Sequence, residues 1–128
     1  MSILITGGAG FIGSNLAKTL VSNNYEVIIY DNFWRNDIDL VFKDSSELYQ
    51  KLKIIKGDIL DIKLLKKIIF SNKIEYIFHL AFIASVGKVL ANPILTFNTN
   101  LIEFLNNKNF LDKLEINFIV KNKIIIKK

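Results

Sequence analysis

Three glycines near the start of the chain have a spacing that suits the binding of a phosphate group. Gly7, Gly10 and Gly13 lie in the stretch TGGAGFIGSNLA, at the end of the apolar run Ile3–Thr6. Glycines permit a tight turn, and their missing side chains let a pyrophosphate approach the main chain closely. A helix that follows such a turn presents unpaired N–H groups and the positive end of its dipole. The pattern therefore predicts a dinucleotide-binding turn rather than a purely structural one.

Acidic residues at the ends of two later apolar runs extend this candidate site. Asp31 follows the run EVIIY and lies 18 residues after Gly13, where a carboxylate accepts hydrogen bonds from ribose hydroxyl groups. An acid at that position repels a 2′-phosphate, so it favours NAD over NADP. Asp58 follows the run LKIIK, and we expect it near the adenine. For both acids the alternative is a carboxylate that serves only its own turn.

Alternating strands and helices must position these residues. We predict five strands, at Ile3–Thr6, Glu26–Tyr30, Leu52–Lys56, Glu75–His79 and Ile116–Val120. Helices are predicted from Gly10 to Asn23-Asn24, over Asp61–Phe70 and over Ile94–Asn107, with a shorter one near Ser46–Gln50. In the first helix the expected buried face contains Ile12, Leu16 and Leu20, which are spaced four apart, and Ala17 and Val21 extend it.

Strands that alternate with helices at intervals of about 30 residues are typical of βαβ units. Right-handed crossovers then predict an α/β fold, a Rossmann-like doubly wound parallel sheet with strand order 3-2-1-4-5 that ends at about strand five. In this fold the ligand crevice lies at the carboxyl ends of the strands. The glycines, Asp31, Asp58 and His79–Ala81 all fall there. His79 itself is interpreted as a core or strand-end histidine.

The composition excludes several kinds of protein. The chain has no cysteine and one histidine, which excludes a disulfide scaffold, a thiol nucleophile and a Cys- or His-rich metal site. No apolar run reaches the ~18 residues of a membrane-spanning helix, and the N-terminus lacks the pattern of a signal peptide. We therefore expect a cytoplasmic protein with neither a metal site nor a membrane partner.

The net charge of +5 is concentrated at the C-terminal end of the chain. Residues 1–107 contain 11 Lys or Arg against 10 Asp or Glu, whereas residues 108–128 contain six Lys against two acids. Because the basic residues before this tail form no stripe, nucleic acid is not expected as a partner.

The motifs, taken in order, resemble those of the extended short-chain dehydrogenase/reductases. They are TGGAGFIGSNLA, the DNF of Asp31–Phe33, the GDILD of Gly57–Asp61, and HLA…SV…NP…N between His79 and Asn100. The chain is most similar to the NAD-dependent epimerase/dehydratase family, which includes UDP-glucose and UDP-glucuronate 4-epimerases. The resemblance covers residues 1 to about 105, and it implies NAD as cofactor and a nucleotide sugar as substrate once a C-terminal domain completes the site.

The resemblance also implies which residues contact the cofactor. Phe11 and Ile12 would pack at the pyrophosphate turn, together with the three glycines. The other implied contacts are Asp31 and Asn32 at the adenosine ribose, Asp58 and Ile59 at the adenine, Leu80 and Ala81 on the nicotinamide side, and Asn100 near the cofactor.

The chain departs from the family pattern at the catalytic residues. The family's catalytic Ser/Thr and its Tyr-x-x-x-Lys have no match after INFIV, where the chain continues KNKIIIKK. A Tyr-x-x-x-Lys at Tyr49–Lys53 precedes the third strand and is interpreted as chance. No catalytic residue is therefore assigned.

The domain organisation follows from the same departures. We expect residues 1–128 to form one NAD-binding domain with a degenerate basic tail at 106–128, no substrate domain, and no activity when alone. Two alternatives stay open: half of a split enzyme completed by another chain, and a non-catalytic NAD(H)-binding module. A homo-oligomer also stays open.

Overall fold

The computed structural model describes residues 1–82, 90–97, 117–120 and 123–125. Its strands are β1 (Ser2–Thr6), β2 (Glu26–Asp31), β3 (Lys53–Lys56), β4 (Tyr76–His79), β5 (Asn117–Val120) and β6 (Lys123–Ile125). Its helices are α1 (Phe11–Ser22), α2 (Ile38–Phe42), α3 (Ser46–Gln50), α4 (Ile62–Ser71) and α5 (Pro93–Phe97). The predicted cofactor residue Asn100 lies outside the described residues.

The described strands form one sheet in the order β3-β2-β1-β4-β5-β6. The first five strands pair in parallel, which confirms the predicted order 3-2-1-4-5. Parallel pairing in this order carries the chain from β1 outward to β3, and then back across to β4. The carboxyl ends of β1, β2, β3 and β4 therefore meet at one edge of the sheet.

A sixth strand, β6, was not predicted from the sequence. It pairs antiparallel with β5, with Ile119 opposite Ile124. Only two residues separate these strands, which is too few for a parallel crossover but enough for a hairpin. The isoleucines of this segment favour a strand, so part of the expected basic tail continues the sheet.

Both faces of the sheet are covered by helices. Side chains of β2 alternate between the faces, so that Ile28 and Tyr30 pack with α4 while Val27 and Ile29 face α1 and α2. The helix residues buried against these two faces are Leu65, Ile68 and Ile69 on one side, and Ala17, Val21, Ile38 and Phe42 on the other. This two-sided burial explains why the strands are apolar throughout rather than alternating.

Helix α1 buries the predicted face except at Ile12: Ala17 and Val21 are buried, and Leu16 and Leu20 pack partly buried against the same core. Ile12 is 68% exposed, and the buried residues of the helix are Gly13, Ser14, Ala17 and Val21. The helix begins only at Phe11, so Ile12 lies in its first turn, beyond the apolar surface of the sheet. The predicted end of the helix is confirmed, with Asn23 as C-cap and Asn24 in the left-handed region.

The polar segment between β2 and β3 contains more helix than its composition indicated. Helix α3 matches the predicted Ser46–Gln50, but α2 was not predicted. Its two buried residues, Ile38 and Phe42, stand four apart, which is one helical turn and too short a pattern to be recognised among polar neighbours.

Candidate functional site

The chain that leaves β1 is held on both sides by main-chain hydrogen bonds. Gly7 N–H donates to the carbonyl of Tyr30 on β2, at 2.9 Å. On the other side, Leu80 N–H donates to the carbonyl of Thr6, also at 2.9 Å. The turn from Gly7 to Gly10 is therefore fixed between the ends of β2 and β4, directly before α1 begins.

Gly7 and Gly13 are required by the packing of this turn. Gly7 has φ +68°, and a Cβ there would lie 2.5 Å from the main-chain nitrogen of Ala81. A Cβ on Gly13 would lie 2.6 Å from both the carbonyl oxygen of Gly7 and the Cα of Gly8. Any larger residue at either position would push the turn away from its neighbours.

Gly10 is different, because the described residues give no internal reason for a glycine there. Its φ of −75° suits any residue. A Cβ at this position would meet only the carbonyl oxygen of Gly7, at an ordinary contact distance of 3.5 Å. Open space beside Gly10 is thus a cradle that a side chain would fill, which fits a site approached by a ligand from outside.

The N-terminus of α1 opens directly onto this space. Gly10 is its N-cap and provides no side-chain cap, and the first turn contains no acidic residue. The first main-chain bond of the helix runs from Ser14 N–H to the carbonyl of Gly10. The N–H groups of residues 11–13 therefore have no acceptor within their own helix and suit an anion.

Asp31 connects the end of β2 to the glycine turn. Its Oδ2 accepts a hydrogen bond from Ala9 N–H at 2.9 Å, and its Oδ1 accepts one from Phe33 N–H at 2.8 Å. Ala9 makes a second hydrogen bond, since its carbonyl accepts from Asp37 N–H at 2.8 Å. The carboxylate thus serves more than its own turn. Each oxygen retains acceptor capacity, because a carboxylate oxygen has two lone pairs.

The end of β3 lies beside Asp31. Gly57 N–H donates to the main-chain carbonyl of Asp31 at 2.9 Å. Asp58 follows at the surface, with its Oδ1 accepting from Leu60 N–H, whereas Ile59 is buried. Asn32 is exposed, and its Oδ1 accepts from Trp34 N–H. The acids predicted from sequence are therefore brought to one edge with the glycine turn.

Several apolar side chains at this edge are exposed in the part of the chain that the structure describes. Phe11 and Ile12 are 71% and 68% exposed at the start of α1, and Phe82 is 50% exposed beyond β4. Leu80 and Ala81 are half-buried beside Gly7. These surfaces lie on either side of the glycine turn.

His79 lies beneath the turn as a buried, neutral residue. Its Nδ1 is 2.8 Å from Oγ1 of Thr6, across the β1–β4 pair. Burial lowers the pKa of this imidazole from 6.5 to about 4. The imidazole is uncharged at neutral pH, which agrees with the interpretation of His79 as a core residue.

The Tyr-x-x-x-Lys at Tyr49–Lys53 does not approach the glycine turn. Lys53 is the first residue of β3, at the amino edge of the sheet, and its Nζ donates to Oδ1 of Asn72 at 2.5 Å. The ring of Tyr49 packs edge-on against Phe42, with ring centroids 5.6 Å apart. The contacts of this pair are structural.

The described residues contain no group of three or more His, Asp or Glu side chains arranged to hold a metal ion. Within the same part of the chain, no helix has the length and apolar character needed to cross a membrane.

The chain is similar in sequence to known nucleotide-sugar enzymes. The family model described as GDP-mannose 4,6 dehydratase matches residues 4–117. The UDP-glucose 4-epimerase of Yersinia enterocolitica is 38% identical over 102 residues, which are 80% of this chain and 30% of that protein. The UDP-glucose 4-epimerase of Pasteurella multocida is 34% identical over 101 residues, again 30% of its length. The chain thus spans about a third of the length of these relatives.

Solved structures show the same fold. UDP-glucose 4-epimerase from Bifidobacterium longum, in complex with NAD+ and UDP, has a TM-score of 0.80 at 27% identity, covering 94% of this chain and 36% of that one. The enzyme from Thermotoga maritima with UDP-glucose has a TM-score of 0.79 at 33% identity, covering 94% and 37%.

Replacing Gly13 by alanine should destabilise the fold. Alanine is the better helix former by about 1 kcal/mol, but its Cβ would overlap the main chain of the turn and force α1 outward. We expect the free energy of unfolding in urea to fall by about 1–3 kcal/mol. Gly10→Ser is the matched control, and it should cost nothing because its side chain enters open space. An equal loss of stability in both variants would contradict the conclusion that the packing requires Gly13 but not Gly10.

The buried His79 should make stability fall with acid. The imidazole has a pKa of 6.5 when unfolded and about 4 when folded, so protons bind preferentially to the unfolded chain between these values. We expect the free energy of unfolding to fall by about 1.5 kcal/mol from pH 6.5 to about 5, relative to His79→Gln. Glutamine keeps an acceptor for Thr6 and does not titrate. Identical pH profiles of the two proteins in urea denaturation would exclude this assignment.

Proposed function

The chain belongs to the NAD-dependent epimerase/dehydratase family that the GDP-mannose 4,6 dehydratase model describes, and we propose that it is the NAD-binding domain of a nucleotide-sugar 4-epimerase. The observation that carries the proposal is Gly10, the N-cap of α1 with open space in place of a side chain. Serine or asparagine at an N-cap would bond to the helix N–H groups. Glycine leaves those groups free to bind an anion.

The pyrophosphate of NAD fits this arrangement. It carries negative charge to the positive end of the α1 dipole, where no acidic residue of the first turn opposes it. Gly7, Gly10 and Gly13 would let it reach the main chain, and Phe11 and Ile12 would cover it with their exposed side chains.

The remaining parts of NAD are assigned to the neighbouring strand ends. Asp31 would accept hydrogen bonds from the ribose through its free lone pairs, with Asn32 beside it. A carboxylate there repels the 2′-phosphate of NADP. Asp58 and Ile59 would contact the adenine. Leu80 and Ala81 are proposed for the nicotinamide side, and Asn100 is proposed to lie near the cofactor.

Bound NAD supplies a hydride acceptor for the oxidation of a sugar hydroxyl group. In this chain the proposed contribution is to bind and orient the cofactor. The curated relatives are UDP-glucose 4-epimerases, so a UDP-sugar is the proposed substrate of the protein completed by a C-terminal domain. This chain covers about a third of those relatives, and no proton-transferring residue is assigned within it.

The hairpin at the end of the sheet favours a second candidate, a non-catalytic NAD(H)-binding module. β6 pairs with β5 on the side away from β4, where a further parallel strand would have to add. With β6 in that position, a strand of another polypeptide would not pair with β5 there, which supports binding of NAD(H) without such a partner. Conversion of UDP-glucose to UDP-galactose by the 128-residue chain would exclude this candidate.

A variant of Gly10 tests the main proposal. We expect the chain to bind NADH in a fluorescence titration, and Gly10→Ser to weaken that affinity at least about tenfold, because the hydroxyl group caps the N–H groups that the phosphate needs. Stability in urea should be unchanged or slightly raised.

Asn23→Ser, at the other end of α1, is the matched control and should bind as the unmodified chain does. Equal NADH affinity in Gly10→Ser and the unmodified chain would contradict the proposed site. Absence of NADH binding up to millimolar concentration would contradict the function.

A further inference from the structure

Tyr30 is the largest side chain that the described fold buries completely, with 1% of its surface exposed. It stands next to Asp31 near the end of β2 but faces the opposite side of the sheet, among the residues that pack with α4. A buried phenol needs a hydrogen-bond partner for its hydroxyl group. The position of that partner gives Tyr30 a role beyond packing.

The hydroxyl group of Tyr30 reaches across to the turn that follows β3. It donates to the main-chain carbonyl of Asp58 at 2.6 Å. This bond joins residues 28 positions apart in the chain. It adds to the bond from Gly57 N–H to the carbonyl of Asp31, so two bonds fix the turn to the end of β2.

Gly57 is required by the packing of the Tyr30 ring. Its φ is not in the left-handed region, so its conformation does not demand a glycine. A Cβ on Gly57 would instead lie 2.7 Å from the Tyr30 hydroxyl oxygen and overlap the ring. The ring therefore lies directly against the main chain of Gly57, and only a glycine leaves room for it.

We propose that Tyr30 is a positioning residue that holds Asp58 and Ile59 for the adenine ring, and thereby sets the preference of the site for adenine. This inference rests on the proposed binding of NAD. Asp58 is exposed, and one oxygen of its carboxylate is already fixed by Leu60 N–H. The other oxygen is available to accept from the amino group of adenine. Hypoxanthine carries a carbonyl oxygen in place of that amino group, and the carboxylate would repel it.

The test compares NADH with its hypoxanthine analogue, reduced nicotinamide hypoxanthine dinucleotide. We expect the unmodified chain to bind NADH about tenfold more tightly than the analogue, as for a hydrogen bond to a charged acceptor. Tyr30→Phe removes only the hydroxyl group, and we expect the ratio to fall to about twofold or less, since Asp58 loses its direct bond to β2 and the turn keeps only the bond from Gly57 N–H. A merely structural weakening would lower both affinities together and leave the ratio unchanged.

Tyr25→Phe is the matched control, because it removes the same hydroxyl group from a partly exposed tyrosine at the amino end of β2. It should keep the tenfold ratio. An unchanged ratio in Tyr30→Phe, or equal binding of both dinucleotides by the unmodified chain, would overturn the inference while leaving NAD binding intact. Failure of the unmodified chain to bind either dinucleotide would instead overturn the proposed function on which the inference rests.

Discussion

The end of β2 is the point on which the rest of the site depends. Two neighbouring residues there face opposite sides of the sheet, as the pleat of a strand requires. Asp31 points to the α1 side and holds the glycine turn through Ala9 N–H. Tyr30 points to the α4 side and holds the turn after β3 through the carbonyl of Asp58. Parallel pairing with β1 places this pair of anchors beside the N-terminus of α1. The two loops that would contact a dinucleotide are thus fixed by one strand end.

The glycines of the turn divide into those that the fold needs and one that it does not. Gly7 and Gly13 make the close packing of turn, strand and helix possible, so they would be glycines in a protein without any ligand. Gly10 occupies an N-cap, where serine or asparagine is the more stabilising choice. Local preferences are broken mostly where function requires it. Asp31 likewise does more than serve its own turn. Its carboxylate accepts from Ala9 N–H and still has free acceptor capacity.

Much of the fold could be predicted because its signals are local. Apolar runs predict the strands, and right-handed crossovers predict their order. Asp61 marks the start of α4, because its side chain accepts a hydrogen bond from Leu64 N–H. What was missed depends on contacts between distant segments. The bond from Ala9 to Asp31 and the fit of Tyr30 against Gly57 join residues more than 20 positions apart, and no periodicity reports them. Ile12 was placed on the buried face because its spacing is right, but the first turn of α1 extends beyond the sheet.

Both edges of the sheet offer positive charge to an anion, from side chains at one edge and from main-chain N–H groups at the other. At the amino edge, Lys51, Lys53 and Lys73 line a depression of about 380 Å³ beside the C-terminal end of α4, whose negative dipole end they complement. At the carboxyl edge, the N-terminus of α1 is free.

Amide chemical shifts in an NMR titration with NAD+ distinguish the edges directly. We expect the largest changes at residues 10–13 and at Asp58 and Ile59. Changes centred on the three lysines, or none at the glycine turn, would contradict binding at the carboxyl edge.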